Sequence, residues 1–307
     1  MRKITVIGAS MVDIVGKSFE SIIERDSNPG QLSISAGGVS RNIAGNLACL
    51  NQDVTLITAL GDDSLSQVIV ASCQELNINL DYAHFQEDGI STTYLAILDN
   101  DGDLALALSD TTLLDNLPLS HIQKNKIILE AGEVIIMDAA LPDVIIEYIL
   151  KEFANKRIYI DPVSVGKAVS IKDYLGNFYM LKCNVLEASY LSNHDIKSER
   201  DYFNAAEYFH KLGVKTVVIT RGPDGIFYSS DGKQGFYQHR AVSVVNATGA
   251  GDAFLAGWVY SDLKQYPLDL KIKIASEVAA LTLEGKTSVS DKLSEAYLKE
   301  VIENGFK

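Results

Sequence analysis

The chain has 307 residues, 47% of them hydrophobic and 22% charged, a balance typical of a globular protein with a large core. Its formal net charge of −13 repels polyphosphate backbones, so we expect no nucleic acid partner, although a nucleotide remains compatible with the chain. Cys49, Cys73 and Cys183 form no C-x-x-C pair, which fits a reducing compartment. No apolar run approaches the roughly 20 residues that span a bilayer. We therefore expect a cytoplasmic protein without a membrane partner.

Short β-branched runs alternate with amphipathic helical segments along most of the chain. The predicted strands share an almost wholly apolar composition, typical of strands that are covered on both faces: 4–7, 54–59, 134–138, 158–160 and 217–220. Between them, apolar residues recur at helical spacing, as they do in 39–50 and in 201–212, which ends at Gly213. This order predicts an α/β fold with a doubly wound, mostly parallel sheet and helices on both faces.

Two segments interrupt the alternation and predict a small separate β-sheet. Residues 14–36 contain the turn-rich stretch DSNPG followed by an alternating run, and residues 91–110 predict a hairpin. We expect these two segments to form a lid over the carboxyl ends of the main strands, where open α/β sheets bind ligands. The remaining residues would form the core: 1–13, 37–90 and 111–307. Two ordinary surface hairpins are the alternative.

The strongest local pattern is ATGAGDAF at 247–254, where glycines precede the start of a helical pattern. Gly249, Ala250 and Gly251 allow the backbone to approach a ligand closely, and the N–H groups at a helix start suit an anion such as a transferring phosphoryl group. Asp252 falls in the first helical turn, where it is placed to accept a proton from an attacking hydroxyl. A plain glycine turn whose aspartate favours the helix dipole is the alternative.

A second glycine pattern, GGVSRNIA at 37–44, precedes an amphipathic helix. Gly37 and Gly38 allow close approach of the backbone to a substrate, and Asn42 offers both a donor and an acceptor near the helix start. We interpret Arg41 as a solvated charge, with contact to a phosphate as the alternative.

A third pattern, KCNVLE at 182–187, places Asn184 and Glu187 three residues apart at a helix start, so that both face the same way. Their oxygens, together with waters, suit Mg²⁺, which takes few direct protein ligands. A helix-capping Asn beside an exposed Glu is the commoner meaning of such a pair.

A fourth pattern, TRGPDG at 220–225, is a glycine turn that closes the predicted strand 217–220. In such a sheet a nucleotide is expected at the carboxyl ends of the strands. The sequence lacks a P-loop, a dinucleotide-binding G-x-G-x-x-G and a G-x-S-x-G elbow.

At these residues the chain resembles the ribokinase-like, or PfkB, carbohydrate and nucleoside kinases over essentially its whole length. The pattern at 37–42 is similar to that family's first signature and TGAGDAF to its second. The pattern at 182–187 is similar to its Mg²⁺-associated motif, and the turn at 220–225 to its nucleotide-side loop. The resemblance implies a ribokinase-like fold with a small β lid, and the transfer of the γ-phosphate of ATP to a hydroxyl.

The resemblance also implies roles for particular residues. Asp252 would be the base, and Gly249, Ala250 and Gly251 would form the anion hole. The implied substrate ligands are Asp13, Gly37, Gly38, Asn42 and Asp252. The implied nucleotide ligands are Asn184, Thr220, Arg221, Gly222, Gly225, Thr248, Gly249 and Gly251. Asn184 and Glu187 would organise Mg²⁺, mainly through water.

One position departs from the family pattern. Many members have Asp where this chain has Asn246, at a position associated with a monovalent cation. A neutral Asn weakens an oxygen site for K⁺, which puts activation by K⁺ in question.

Within the family, the stretches 26–30, 37–44, 92–102 with 109–110, and 161–164 look most similar to the pseudouridine kinases. This resemblance implies phosphorylation of the 5′-hydroxyl of pseudouridine, with Ser27 and Asn28 as acceptors for N–H groups of the base. Another kinase of the same fold, acting on ribose, a ketose or a different nucleoside, is the first alternative. A non-catalytic ligand sensor is the second. An exposed strand edge of the lid would allow a homodimer to form through the lid.

Overall fold

A computed structural model describes residues 3–306, in which strands and helices alternate along most of the chain. The strands are β1 (Lys3–Ile7), β2 (Met11–Ser18), β3 (Gly30–Gly37), β4 (Asp53–Ile57), β5 (Ala59–Gly61), β6 (His84–Gln86), β7 (Thr93–Leu98), β8 (Leu104–Asp110), β9 (Val134–Asp138), β10 (Arg157–Asp161), β11 (Met180–Asn184), β12 (Thr216–Thr220), β13 (Ile226–Ser230) and β14 (Lys233–Tyr237). The α-helices are α1 (Val39–Cys49), α2 (Ser66–Glu75), α3 (Thr112–Asp115), α4 (Leu119–Lys124), α5 (Lys126–Ala131), α6 (Asp143–Glu152), α7 (Val165–Ala168), α8 (Val185–Ser192), α9 (Glu199–Leu212), α10 (Ala250–Leu263), α11 (Leu268–Glu284) and α12 (Glu295–Asn304). Two further segments, Val169–Asn177 and Gly222–Asp224, are 3-10 helices. Within residues 3–306, none of the helices is both long enough and apolar enough to cross a membrane.

The large sheet has eight strands in the order β14-β13-β12-β11-β10-β9-β1-β4. Six neighbouring strands of this sheet pair in parallel, which confirms the predicted doubly wound, mostly parallel sheet: β4, β1, β9, β10, β11 and β12. The last two strands at the β14 edge, β13 and β14, pair antiparallel, and the sequence analysis did not predict them. A short turn joins β12 to β13, and a connection that short permits only antiparallel pairing.

The large sheet is covered on both faces, which explains its almost wholly apolar strands. Along β9, Ile135 and Met137 pack into one core cluster, whereas Val134 and Ile136 pack into the cluster on the other face. One cluster contains residues of α6 and α9, and the other contains residues of α1, α10 and α11. Strands that are buried on both faces need no polar alternation.

A small sheet of four strands, in the order β3-β2-β7-β8, stands apart from the large one. The predicted hairpin is confirmed, because β7 and β8 pair antiparallel, and β2 joins the two hairpins by pairing in parallel with β7. Asp13 and Gly37 lie within the strands of this sheet. Large apolar side chains on β3 and β8 are exposed: Leu32, Ile34, Leu104, Leu106 and Leu108.

The carboxyl ends of four neighbouring parallel strands carry polar residues. Asp138 ends β9, Asp161 ends β10, Asn184 ends β11 and Thr220 ends β12. Strand β1 lies between β4 and β9, so the chain reverses its direction of travel across the sheet at this point. Such switch points open a crevice at the carboxyl ends, and ligands of open α/β sheets bind there.

Helices α10 and α11 are in close contact at Gly257. A Cβ at this position would lie 2.8 Å from the Cα of Ala275 and 3.0 Å from a methyl carbon of Val278. Because backbone cannot yield as a flexible side chain does, we expect Gly257→Ala to lower the free energy of unfolding by about 1–2 kcal/mol, despite the helix propensity that alanine gains. Urea denaturation followed by circular dichroism measures the change. The matched control is Gly166→Ala, where the nearest atom lies 3.9 Å away, and equal losses in both variants would contradict this packing account.

Candidate active site

The side chains of Asp252 and Asn42 meet at the crevice, although 210 residues separate them in the sequence. Asn42 Nδ2 donates a hydrogen bond of 2.9 Å to Asp252 Oδ2, while Asn42 Oδ1 accepts one of 2.6 Å from Ser288 Oγ. The hydroxyl of Ser288 therefore fixes the orientation of the Asn42 amide. Asn42 is 3% exposed and Asp252 is 8% exposed, so the pair forms a buried unit.

The glycine turn before Asp252 has a geometry that requires glycine. Gly249 has φ +83°, and a Cβ on it would lie 2.5 Å from the Cβ of Ser288. Helix α10 begins at the next residue, Ala250. The amides of a first helical turn have no partner within the helix, so they are available to an anion. The turn thus presents backbone donors beside a carboxylate.

The charge of Asp252 is shaped by groups from several strands. Burial raises its pKa to about 7, and the carboxylates of Asp161 and Asp138 act in the same direction, whereas Lys182 and Asn42 oppose them. A general base is most effective when its pKa lies near the working pH. Asp252 therefore combines the position and the proton affinity of a base at neutral pH.

Asp13 packs directly against the first glycine pattern. A Cβ on Gly37 would collide with the Asp13 carboxylate, and a Cβ on Gly38, which has φ +92°, would lie 2.6 Å from the carbonyl oxygen of Ala9. Burial raises the pKa of Asp13 to about 6, against the opposing charge of Arg41. The two glycines thus lie where β3 passes into α1, beside Asp13 of β2 and one helical turn before Asn42.

The interpretation of Arg41 as a solvated charge is wrong. Its side chain lies inside the fold, where it is 5% exposed, donates to the carbonyl oxygen of Ala36 at 3.2 Å and contacts the hydroxyl of Ser72. Helix α1 turns this side chain towards α2 and the end of β3, and helical periodicity alone does not show which polar position faces a neighbouring element. Arg41 of α1 therefore links the end of β3 to α2.

Asn184 and Glu187 form the cap of α8. Asn184 Oδ1 accepts from the Glu187 amide at 2.9 Å, and the backbone and side-chain amides of Asn184 donate to the two carboxylate oxygens of Glu187, both at 2.8 Å. Glu187 is buried rather than exposed, and burial raises its pKa. Because each carboxylate oxygen keeps an unused lone pair, the donor set suits Mg²⁺ through water. Within residues 3–306, no group of three or more His, Cys, Asp or Glu side chains could hold a metal ion.

The turn after β12 is fixed by internal contacts. The guanidinium of Arg221 lies over the rings of Phe236 and Tyr202, at 4.8 and 5.3 Å from their centroids, and donates to the carbonyl oxygen of Asp224. A Cβ on Gly225, which has φ +83°, would collide with the carbonyl of Tyr237. A Cβ on Gly222 would meet no atom within 4 Å, and Thr248 is exposed. The hydroxyl of Thr220 donates a long hydrogen bond of 3.4 Å to the carbonyl oxygen of Cys183. Nucleotide binding by these residues stays a prediction.

The structure does not bring Ser27 and Asn28 to Asp13. Both lie in the turn that joins β2 to β3, and Ser18, where β2 ends before that turn, is about 16 Å along the strand from Asp13. The Asn28 amide is also engaged locally, because its oxygen accepts from the Ile23 amide at 2.7 Å and its nitrogen donates to the Ile23 carbonyl at 3.0 Å. Contact of these residues with a base stays a prediction, and the geometry does not favour it within one chain.

The sequence analysis did not identify several residues that surround the candidate base. Asp138 accepts from the Ala9 amide at 2.7 Å and from the Ser40 hydroxyl at 2.6 Å. Asp138 ends the predicted strand 134–138, and Asp161 directly follows the predicted strand 158–160. A carboxylate at the end of a buried strand is a signal that the sequence does offer. Ser288 carries no such signal, because only the tertiary fold brings it to Asn42.

This geometry agrees with the comparisons with known proteins. Residues 1–295 match the model of the pfkB family of carbohydrate kinases. The chain belongs to the pfkB family. It is 30% identical to the pseudouridine kinase of Escherichia coli (strain K12), over 98% of this chain and 96% of that protein. It is 29% identical to the guanosine-inosine kinase of Exiguobacterium acetylicum, over 93% of this chain and 97% of that protein.

Solved structures agree on the fold. The ribokinase of Arabidopsis thaliana complexed with ribose and ATP superposes with a TM-score of 0.85, at 21% identity and over 97% of this chain and 98% of that chain. The pfkB membership and the kinase relatives identify the chain as an ATP-dependent kinase that acts on a hydroxyl group. Kinases of this fold bind ATP, typically with Mg²⁺, and a sugar or nucleoside substrate.

The raised pKa of Asp252 has a consequence for stability. The pKa of Asp252 in the folded protein, about 7, lies above the ordinary value of 3.8 for an aspartate, so ionised Asp252 destabilises the fold above pH 7, and this penalty disappears as the pH falls towards 4. We therefore expect Asp252→Asn to raise the free energy of unfolding at pH 8 by an amount on the order of a few kcal/mol, a gain that shrinks between pH 7 and pH 4. Denaturant titrations across this pH range measure it. Asp101→Asn, in the exposed turn between β7 and β8, is the control, and a gain in Asp252→Asn that did not depend on pH would contradict the account.

Proposed function

We propose that the protein phosphorylates the 5′-hydroxyl of pseudouridine with ATP, giving pseudouridine 5′-phosphate and ADP. The observation that carries the proposed chemistry is the buried Asp252–Asn42 pair beside the first-turn amides of α10. The likeness to the Escherichia coli pseudouridine kinase over 98% of the chain supports the substrate. Free cysteines, two of them buried, are compatible with the reducing cytoplasm as its location.

In this proposal the substrate is held by Asp13, by Gly37 and Gly38 at the turn after β3, and by Asn42 in the first part of α1. The 5′-hydroxyl faces Asp252, which takes its proton as the oxygen attacks the γ-phosphorus. A bond forms between the 5′-oxygen and the γ-phosphorus, and the bond from that phosphorus to the bridging oxygen of ADP breaks. The amides of 249–251 stabilise the charge on the transferring phosphoryl group.

The nucleotide would lie along the carboxyl ends of β11 and β12. Its proposed ligands are Asn184, Thr220, Arg221, Gly222, Gly225, Thr248, Gly249 and Gly251. When bound, Mg²⁺ would neutralise charge on the phosphates, and Asn184 and Glu187 would hold it mainly through water. Asn246 Oδ1 accepts from the Thr248 amide at 2.9 Å. Because this neutral oxygen is used to hold the turn, the contact supports activity without K⁺.

The small sheet would act as the lid in this proposal, with segments 14–36 and 91–110 set on the core. Asp13 lies in β2, so a movement of the sheet would carry a substrate ligand with it. Closure of the sheet over the crevice would keep water from competing with the substrate hydroxyl.

Another nucleoside is the second candidate substrate. The guanosine-inosine kinase of Exiguobacterium acetylicum aligns over 93% of this chain with nearly the same identity as the pseudouridine kinase, so the comparisons favour the nucleoside class over one base. Direct competition between nucleosides separates the two candidates.

We expect pseudouridine to be phosphorylated with a higher kcat/KM than ribose, fructose, adenosine, uridine, guanosine or inosine. ADP release with purified protein, ATP and Mg²⁺ measures the series. Asp252→Asn is the matched control: removing the base should lower kcat by roughly 10²–10⁴-fold and leave substrate binding largely intact. A preference for a simple sugar would overturn the substrate, and near-normal turnover by Asp252→Asn would overturn the chemistry.

We also propose that two copies of the chain pair through their small sheets. Leu32, Ile34, Leu104, Leu106 and Leu108 are exposed on this sheet, and clusters of exposed apolar side chains mark protein–protein interaction sites. Both β3 and β8 are edge strands, whose unpaired backbone groups can bind another strand. A second copy would cover these five apolar side chains and an edge strand of the small sheet together.

We therefore expect a homodimer in solution, and a monomer when Leu106 and Leu108 are both replaced by Glu, since charges cannot be buried unpaired in an apolar interface. Sedimentation equilibrium at micromolar concentration measures the mass. Ile127→Glu, at an equally exposed apolar position on α5, is the control and should leave the mass unchanged. A monomeric unmodified protein would refute the pairing.

A further inference from the structure

Lys182 is a buried cation at the catalytic end of the large sheet. It lies in β11, its side chain is 8% exposed, and its Nζ donates to Asp161 Oδ2 at 2.7 Å. The other oxygen of Asp161 accepts from the Val163 amide at 2.8 Å, so the carboxylate is held in place from two sides. The Lys182 ammonium is therefore paired directly with a fixed, buried carboxylate.

Lys182 also contacts the glycine turn that precedes Asp252. A Cβ on Gly251 would collide with the Lys182 Nζ and would lie 3.2 Å from its Cε. The ammonium thus occupies the space that a side chain at 251 would take. Gly251 is the residue immediately before Asp252, so this contact places the positive charge next to the candidate base.

Groups from four elements face the Asp252 carboxylate. Strands β9, β10 and β11 contribute Asp138, Asp161 and Lys182, and α1 contributes Asn42. Asn42 donates the hydrogen bond, and the two other carboxylates repel the charge of Asp252. Among these groups Lys182 supplies the positive charge.

We propose that Lys182 is a positioning residue for phosphoryl transfer, which supports the Gly251 turn and keeps Asp252 in the ionised form that accepts the proton. This inference rests on the proposed role of Asp252 as the base. It goes beyond that role because it assigns the buried Lys182–Asp161 pair to the reaction rather than to the stability of the fold.

The two partners of the ion pair allow a sharp test, because they act on Asp252 with opposite sign. Lys182→Met removes the attraction, so the acid limb of the kcat/KM profile should move to higher pH by about one unit. Asp161→Asn removes a repulsion and leaves Lys182 to Asp252, so the limb should move to lower pH by about the same amount. A pair that only held the fold together would be broken equally by either change and would not shift the limb in opposite directions.

The experiment measures kcat/KM for the nucleoside from pH 5 to pH 9 at saturating ATP and Mg²⁺, with thermal unfolding recorded for each variant. The set contains the unmodified protein, Lys182→Met, Asp161→Asn and the double variant. The limb of the double variant should fall between those of the single variants. If Lys182→Met fails to fold, the comparison of Asp161→Asn with the double variant decides, because loss of the lysine should return the limb to higher pH.

Shifts of opposite sign support the inference. Shifts in the same direction, or an unchanged limb, overturn it, even where the unmodified protein is an active kinase and Asp252→Asn is inactive. Full activity of Asp252→Asn overturns the proposed function and this inference together, so the two failures are distinguishable.

Discussion

Mutual repulsion of carboxylates at the carboxyl edge of the large sheet is the constraint on which the rest of the site depends. Asp138, Asp161 and Asp252 are all buried there; the charge of Asp161 raises the pKa of both Asp138 and Asp252, and that of Asp138 raises the pKa of Asp252. Burial of like charges is costly unless hydrogen bonds and a cation compensate for it. The backbone of Ala9, the hydroxyl of Ser40 and the ammonium of Lys182 supply that compensation.

The glycines follow from the same crowding. The backbone must pass close to buried polar groups at Gly37 beside Asp13, at Gly249 beside Ser288 and at Gly251 beside Lys182. A side chain at Gly37 would displace Asp13, a proposed substrate ligand, and a side chain at Gly249 or Gly251 would displace a group near the candidate base. The glycines of GGVSRN and TGAGDAF are therefore required by the limited space in the site. They also leave backbone N–H groups accessible to an anion.

Much of this arrangement could be predicted from the sequence because the signals are local. The strands 134–138 and 217–220 were predicted with a correct end at Asp138 and Thr220, since an apolar run that ends in a polar residue needs no tertiary information. The start of α10 was predicted from Gly249 and Gly251, whose conformational freedom marks the turn. The doubly wound sheet followed from the strand–helix alternation.

The features that could not be predicted depend on contacts between distant segments. Nothing near Arg41 shows that α1 turns it towards α2, so it was mistaken for a solvated charge. The pairing of β2 with β3, which places Ser18 opposite Gly30 and Asp13 opposite Ser35, separates the 26–30 turn from Asp13 by most of a strand, and this register does not follow from composition. Lys182 of β11 contacts Gly251 at the start of α10, and neither KCNVLE nor ATGAGDAF indicates this contact between distant segments.

A structure of the complex with pseudouridine and a non-hydrolysable ATP analogue tests the central claim most directly. The account predicts that the 5′-oxygen lies about 2.6–3.2 Å from a carboxylate oxygen of Asp252, with the terminal phosphate over the amides of 249–251. A nucleoside bound with its 5′-hydroxyl directed away from Asp252, or a phosphate bound elsewhere, would contradict it.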